Sequence, residues 1–170
     1  MFDEKHLFMI AVILLGFVAF QLRKRKNILM CMFAANSTFC MHYLLNPSLM
    51  GVLINVVDGL RNLLYAQRDT HKILRKMIWP YVFSVAVAVV GVVAWNGPIT
   101  LLFIAGNIVN CFGMRCRSTT NIRKSVLVSS SVLAVYEFIA GTIIGGCYEL
   151  VLIASAIMGL VKYRHSSKRR

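Results

Sequence analysis

The chain has 170 residues, of which 58% are hydrophobic and only 15% charged, with a mean hydropathy of +0.70. A soluble domain carries about 25% charged residues, so these polar side chains are too few to clothe a water-facing surface, and a soluble globular domain is excluded. The length suits one domain. The net charge of +13 raises the question of nucleic acid, which the placement of the basic residues answers below.

The chain opens Met1-Phe2-Asp3-Glu4-Lys5-His6 and places Arg23-Lys24-Arg25-Lys26 after its first apolar run. A cleavable signal peptide needs its basic residues before the apolar core, so the first run is expected to be retained as a span. Seven apolar stretches follow one another: Leu7–Leu22, Ile28–Leu45, Leu49–Gln67, Met77–Trp95, Ile99–Met114, Ser125–Ala140 and Cys147–Tyr163. A helix needs about 20 residues to cross the hydrocarbon, with roughly 17 as the lower limit. The runs are continuous rather than alternating, and a bilayer demands internal backbone pairing, so helices are expected over strands.

The connections alternate sharply in charge. Arg23–Lys26, Arg68–Lys76, Arg115–Lys124 and the tail Lys162–Arg170 hold 17 of the 19 Lys and Arg. Asn46–Ser48, Asn96–Pro98 and Gly141–Gly146 hold none. By the positive-inside rule this predicts seven crossings, with the N-terminus outside and the C-terminus in the cytoplasm. The basic runs read as topology determinants that also attract anionic lipid headgroups. No aromatic residues interleave with them as a base-stacking surface requires, so no nucleic acid is expected as a partner.

Cysteines 31, 40, 111, 116 and 147 form no Cys-x-x-Cys pair, and their odd count leaves one over. Neither a disulfide framework nor a zinc site follows; they read as small fillers of helix interfaces. No cofactor or metal is expected. Catalytic motifs such as His-Glu-x-x-His, Gly-x-Ser-x-Gly or a phosphate-cradling glycine loop are missing from the sequence, and no enzyme is expected.

A shift of 94 residues aligns His42 to Gly51 with Tyr136 to Gly145 and sets Asn55 against Glu149. Each half is then three spans, with Met77–Trp95 between them. Three spans invert orientation, so the extra span returns the second triplet to the orientation of the first, which makes a parallel repeat. The expected segments are 1–67, a first three-helix repeat; 68–97, a basic loop and linker helix; and 98–170, a second three-helix repeat with a basic tail.

Ala140-Gly141-Thr142-Ile143-Ile144-Gly145-Gly146-Cys147-Tyr148-Glu149, the Met114-Arg115-Cys116 loop and Gly106 to Gly113 resemble the second half of the YgjV-like bacterial inner-membrane proteins. His42 and the Asn55–Arg61 stretch resemble the first half. The resemblance implies an all-α, seven-helix membrane protein of the 3+1+3 design found in SWEET and PQ-loop transporters, located in the inner membrane. It also implies a solute carrier or a relative of one. None of Pro47, Pro80 and Pro98 is followed by Gln, and the last span lacks the asparagine that lines sugar carriers, so sugar is not the expected solute.

Ionisable groups at membrane depth are costly and mark functional candidates. Asp58 lies at the centre of its run, with Arg61 at i+3 and Asn55 and Asn62 extending the stripe. The pair either neutralises itself to hold the bundle or contacts a solute or proton. Asn107 and Asn110 share a face of the fifth run and suit either a polar solute or another helix; Asn36 joins this midplane set. His42, Tyr136, Glu137 and Glu149 lie near the outer ends of their runs, as a wet vestibule or as residues reaching headgroup water. Gly141, Gly145 and Gly146 suggest a tight turn, and Gly16, Gly106, Gly113 and Gly159 suggest close helix contacts. The resulting expectation is a carrier of an unknown small polar solute, in a lipid bilayer and open to homo-oligomerisation. The alternative is a non-transporting scaffold or sensor, with an intramembrane enzyme a distant third.

Overall fold

A computed structural model describes residues 4–45 and 48–167, and the side chains of 7–45 and 48–163. Positions 3 and 168 and the Asn46-Pro47 turn lie outside the described residues. Among the described residues there are seven α-helices, one short 3-10 turn and no strand. They are α1 (Glu4–Ala19), α2 (Arg25–Leu45), α3 (Leu49–Ala66), α4 (Ile78–Val93), α5 (Thr100–Gly113), α6 (Thr119–Ile139) and α7 (Ile143–Ser167), with the 3-10 turn at Ile73–Arg75.

The apolar runs become these helices with ends shifted by a few residues. The largest change is in α6, which starts at Thr119 rather than Ser125 and so takes Arg123 into its first turns. Three helices are long and apolar enough to cross a membrane: Arg25–Leu45, Leu49–Ala66 and Ile143–Tyr163. Leu7–Ala19, Ile78–Val93 and Thr100–Gly113 are apolar but shorter. The outer surface agrees with lipid contact: Leu7, Ile10, Leu14 and Val18 of α1 and Val82, Val85, Val89, Val92 and Val93 of α4 are all well exposed. Apolar area of that extent on a monomer marks an interaction with membrane or protein.

Each helix packs on the one before and the one after it, and α7 packs on α1, closing a ring. Close approach depends on glycine where α1 meets α7: a Cβ at Gly16 would stand 2.7 Å from the Tyr148 ring. Of the three glycines near the α6–α7 connection, Gly141 alone makes the turn, at φ +80°. Gly145 and Gly146 belong to α7, where they let it lie against Glu137 and Phe138.

One end of the ring carries the basic connections, and there three arginines separate from the lysines, while Arg23, Arg75 and Arg117 stay exposed. Lys24, Lys26, Lys72, Lys76, Lys124 and Lys162 are all exposed. Arg68, Arg115 and Arg123 are 9%, 3% and 1% exposed. Their planar, weakly hydrated forks suit burial against oxygens, which a compact ammonium does not. The basic runs are therefore more than topology markers: some of their arginines fold inward as structural bonds.

Candidate functional site

The ring encloses a cavity of about 110 Å³ lined by α2, α3, α5, α6 and α7. By volume it has room for several waters or a solute of a few heavy atoms. Helices α1 and α4 do not line it; α1 packs on α2 and α7, and α4 on α3 and α5.

Six of the seven midplane candidates converge on this cavity: Asn36, Asn55, Asp58, Arg61, Asn107 and Asn110. Asn62 does not; it is fully buried outside the lining. Of the four expected vestibule residues, Glu137 and Glu149 line the cavity. Tyr136 is buried against Phe103, with ring centroids 5.3 Å apart, and His42 lies beside the Tyr43 ring at 5.5 Å; neither lines the cavity. Sequence reasoning missed Tyr43, Ser130 and Tyr148, which do. Serine and tyrosine in apolar helices resemble ordinary packing, and the only signal was the Ser129-Ser130-Ser131 run in the middle of a helix.

Seven positions on each wall correspond in pairs, while Arg61 and Gly145 have no counterpart in the lining. Met32 and Val126, Asn36 and Ser130, Phe39 and Leu133, and Tyr43 and Glu137 all line the cavity from α2 and α6. Ile54 and Tyr148, Asn55 and Glu149, and Asp58 and Leu152 do so from α3 and α7. Members of every pair are 94 residues apart, and so are the starts and ends of α2 and α6. α5 breaks the correspondence by adding Asn107 and Asn110 where α1 adds nothing.

Inside the cavity, Asp58 Oδ1 and Arg61 Nη1 form an ion pair at 2.7 Å, and Nη1 also donates to Cys111 Sγ at 3.4 Å. Arg61 Nε and Nη2 have no protein partner, although the residue is 0% exposed. Asn36 Nδ2, Asn110 Oδ1, Tyr148 OH and Glu149 Oε2 are also buried without a partner. Two amides turn to their own helices, Asn55 Nδ2 to Gly51 O at 2.8 Å and Asn107 Nδ2 to Phe103 O at 3.0 Å. Buried polar atoms are normally paired, because an unpaired one costs about 1–3 kcal/mol. A lining this rich in unpaired donors and acceptors suits a polar occupant.

Arginines close the basic end of the cavity. Arg115 Nη1 donates to Leu74 O at 3.0 Å, and its Nη2 to Arg75 O and Lys76 O, both at 2.6 Å. Arg68 Nη1 donates to Arg115 O at 2.6 Å. Burial, and after it the neighbouring Arg68 charge, lowers the Arg115 pKa from its ordinary value. Two further arginines bond reciprocally between the walls. Arg25, which opens α2, donates through Nε to Cys116 O at 3.0 Å. Arg123, near the start of α6, donates through Nη2 to Leu22 O at 2.8 Å and through Nε to Phe20 O at 3.0 Å. Leu22 and Cys116 are themselves 94 residues apart. Tyr163 stacks under the Arg123 guanidinium at 4.6 Å and donates its hydroxyl to Gln21 O at 2.6 Å. Gly159 leaves room for this clamp, since a Cβ there would meet Phe20 O at 2.4 Å. The lining is buried towards this end, with Arg61 and Met114 at 0% and Val126 at 1% exposure. Towards the other end Tyr43, Asn55, Glu137 and Gly145 are partly exposed.

No curated protein and no solved structure matches the chain. A family model described as bacterial inner membrane protein (Imp-YgjV) matches residues 5–167, nearly the whole length. The helical ring, its apolar exterior and its basic end are what such a protein needs, and the chain belongs to the YgjV-like family of bacterial inner membrane proteins.

Proposed function

We propose that the protein is a small-solute carrier or facilitator and not an enzyme. All seven helices cross the membrane, with the N-terminus outside and the basic end in the cytoplasm. The observation that carries this reading is a polar cavity lined from both three-helix groups, buried towards the basic end and partly exposed towards the other. The matched wall positions and the common offset of helix ends support a parallel 3+1+3 repeat, with α4 as the linker. Two halves of that kind rock about a central site to expose it alternately. The reciprocal Arg25 and Arg123 bonds would then form the cytoplasmic gate, and they must break for the cavity to open inward.

The Asp58–Arg61 pair is the feature that favours the alternative, a scaffold or sensor whose polar residues lock helices together. A locked core should be dry and satisfied, however, and this one leaves Arg61, Asn36, Tyr148 and Glu149 with unpartnered atoms.

Cysteine accessibility decides between them. In a variant with the five native cysteines replaced, Ser130→Cys is expected to react from the periplasmic face with silver ion, a thiol reagent small enough for the cavity. It should stay protected from the cytoplasmic face until Arg25→Gln and Arg123→Gln are introduced together. Labels at positions 3 and 168 should react from opposite faces. If Ser130→Cys is inert from both faces, with the clamps intact and with them broken, the core is a dry lock and the carrier reading is wrong.

A further inference from the structure

We infer that the solute carries a protonated amine, held by the Glu149 carboxylate with Glu137 beside it. This rests on the carrier reading and adds the substrate class.

The inference comes from where the acids are. The chain has only 6 Asp and Glu against 19 Lys and Arg. Three of the six, Asp58, Glu137 and Glu149, line the one cavity, and Arg61 is its single basic residue. Asp58 already compensates Arg61 at 2.7 Å. Among the described residues, two carboxylates therefore face the cavity with no salt-bridge partner, in a molecule whose basic residues gather at the far end of the helices. Glu137 accepts the Thr142 hydroxyl and is partly satisfied. Glu149 Oε2 is buried without a partner.

Carboxylates kept at membrane depth without a counter-charge are costly and are retained where they meet an ion, a proton or a solute. One neighbouring side chain points to a solute with hydrogen-bonding capacity. Asn36 is 6% exposed and lines the same cavity with an unpartnered amide nitrogen. At the inner wall Arg61 Nε and Nη2 await an acceptor. An ammonium at Glu149 would supply the missing counter-charge, and a volume of about 110 Å³ limits the molecule that carries it to a few heavy atoms. Charge-assisted hydrogen bonds of this kind are about twice as strong as neutral ones.

Three probes of nearly equal size separate the chemistries: ethanolamine is a cation, ethylene glycol is neutral and glycolate is an anion. Binding is measured by thermal shift and calorimetry on the full chain in nanodiscs. Ethanolamine is expected to raise the melting temperature and the other two to leave it unchanged. Glu149→Gln should weaken ethanolamine about tenfold or more, while Glu149→Asp restores part of the affinity. Lys72→Gln, exposed and outside both the cavity and the gate, serves as the control and should bind ethanolamine as the parent does. Equal or stronger binding of ethylene glycol or glycolate overturns the amine and leaves the carrier reading standing. Absence of binding by all three, or ethanolamine binding that survives Glu149→Gln unchanged, also overturns it. The carrier reading itself falls only on the accessibility result given above, so the two failures are distinguishable.

Discussion

Arg115 at the basic end and Arg61 in the cavity wall are both almost wholly buried, at 3% and 0% exposure, yet they meet their surroundings differently. Arg115 commits both terminal nitrogens to three backbone carbonyls of the α3–α4 connection, and no carboxylate faces it at bonding distance among the described residues. Arg61 binds one carboxylate and one thiol through a single nitrogen and leaves two others without a partner. The first arrangement is nearly closed, because carbonyl dipoles satisfy both terminal nitrogens and tie a loop in place, with Nε alone left without a partner. The second has donors to spare beside a cavity. Burial of a charge alone does not mark a site; the state of its hydrogen bonds does.

The contrast has measurable consequences. The largest is expected at the closed arginine. Arg115→Ala removes three charge-assisted bonds and strands the carbonyls they satisfied, a loss of about 4–5 kcal/mol when each such bond contributes about 1.5–3 and the effects overlap. At about 2–4 °C per kcal/mol for a chain of this size, the melting temperature in nanodiscs should fall by roughly 10 °C or more. A fall of only a degree or two would show that the loop holds without it.

The cavity pair comes next. Asp58→Asn strands the Arg61 cation, and breaking a buried pair costs about 3–5 kcal/mol; the low figure is expected because Asp58 retains 16% side-chain exposure to the cavity. The double change Asp58→Asn, Arg61→Gln should recover most of that loss in expression and melting temperature. If Asp58 also serves the solute, the recovered double mutant still fails to bind or move it. Normal transport by the double mutant would make the pair purely structural.

The smallest effect belongs to the exposed cations. Lys24→Gln, Lys72→Gln and Lys124→Gln, taken singly, should each change stability by no more than about 0.5 kcal/mol. Their combined effect should appear in orientation, read by the labels at positions 3 and 168, because the positive-inside rule counts charges and not bonds. A destabilisation comparable to that of Arg115→Ala would erase the distinction between the two kinds of basic residue.

Much of the fold was legible because lipid imposes a simple code. The apolar runs became helices whose ends moved little, and α3 begins at Leu49, the first residue of its run. The start of α6 was hidden because Arg123 and Lys124 read as loop charges. In the structure Arg123 extends from the first turns of α6 to carbonyls before α2, a partner some 100 residues away that no local pattern announces. The midplane stripe was legible from spacing, since Asp58 and Arg61 at i,i+3 share a face. Asn62, at i+4 from Asp58, was misjudged because a helical stripe is broad and only tertiary packing decides which edge meets the cavity. Tyr148 and Ser130 needed the opposite wall to reveal them.

The clamps at the basic end have a consequence for how the sequence is free to drift. The hydrogen-bond acceptors of Arg25, Arg123 and Arg115 are main-chain oxygens at positions 20, 22, 65, 74, 75, 76 and 116, and the one side-chain partner among the described residues is the exposed Asp69 carboxylate, 3.7 Å from Arg25. A carbonyl is present whatever side chain accompanies it, so these bonds read the path of the backbone and not the identity of the residue. Information about this packing is thus stored one-sidedly, in a few donors, while their partners keep wide latitude to vary. Comparing coupled substitutions between the two halves would therefore miss the contact that joins them most directly.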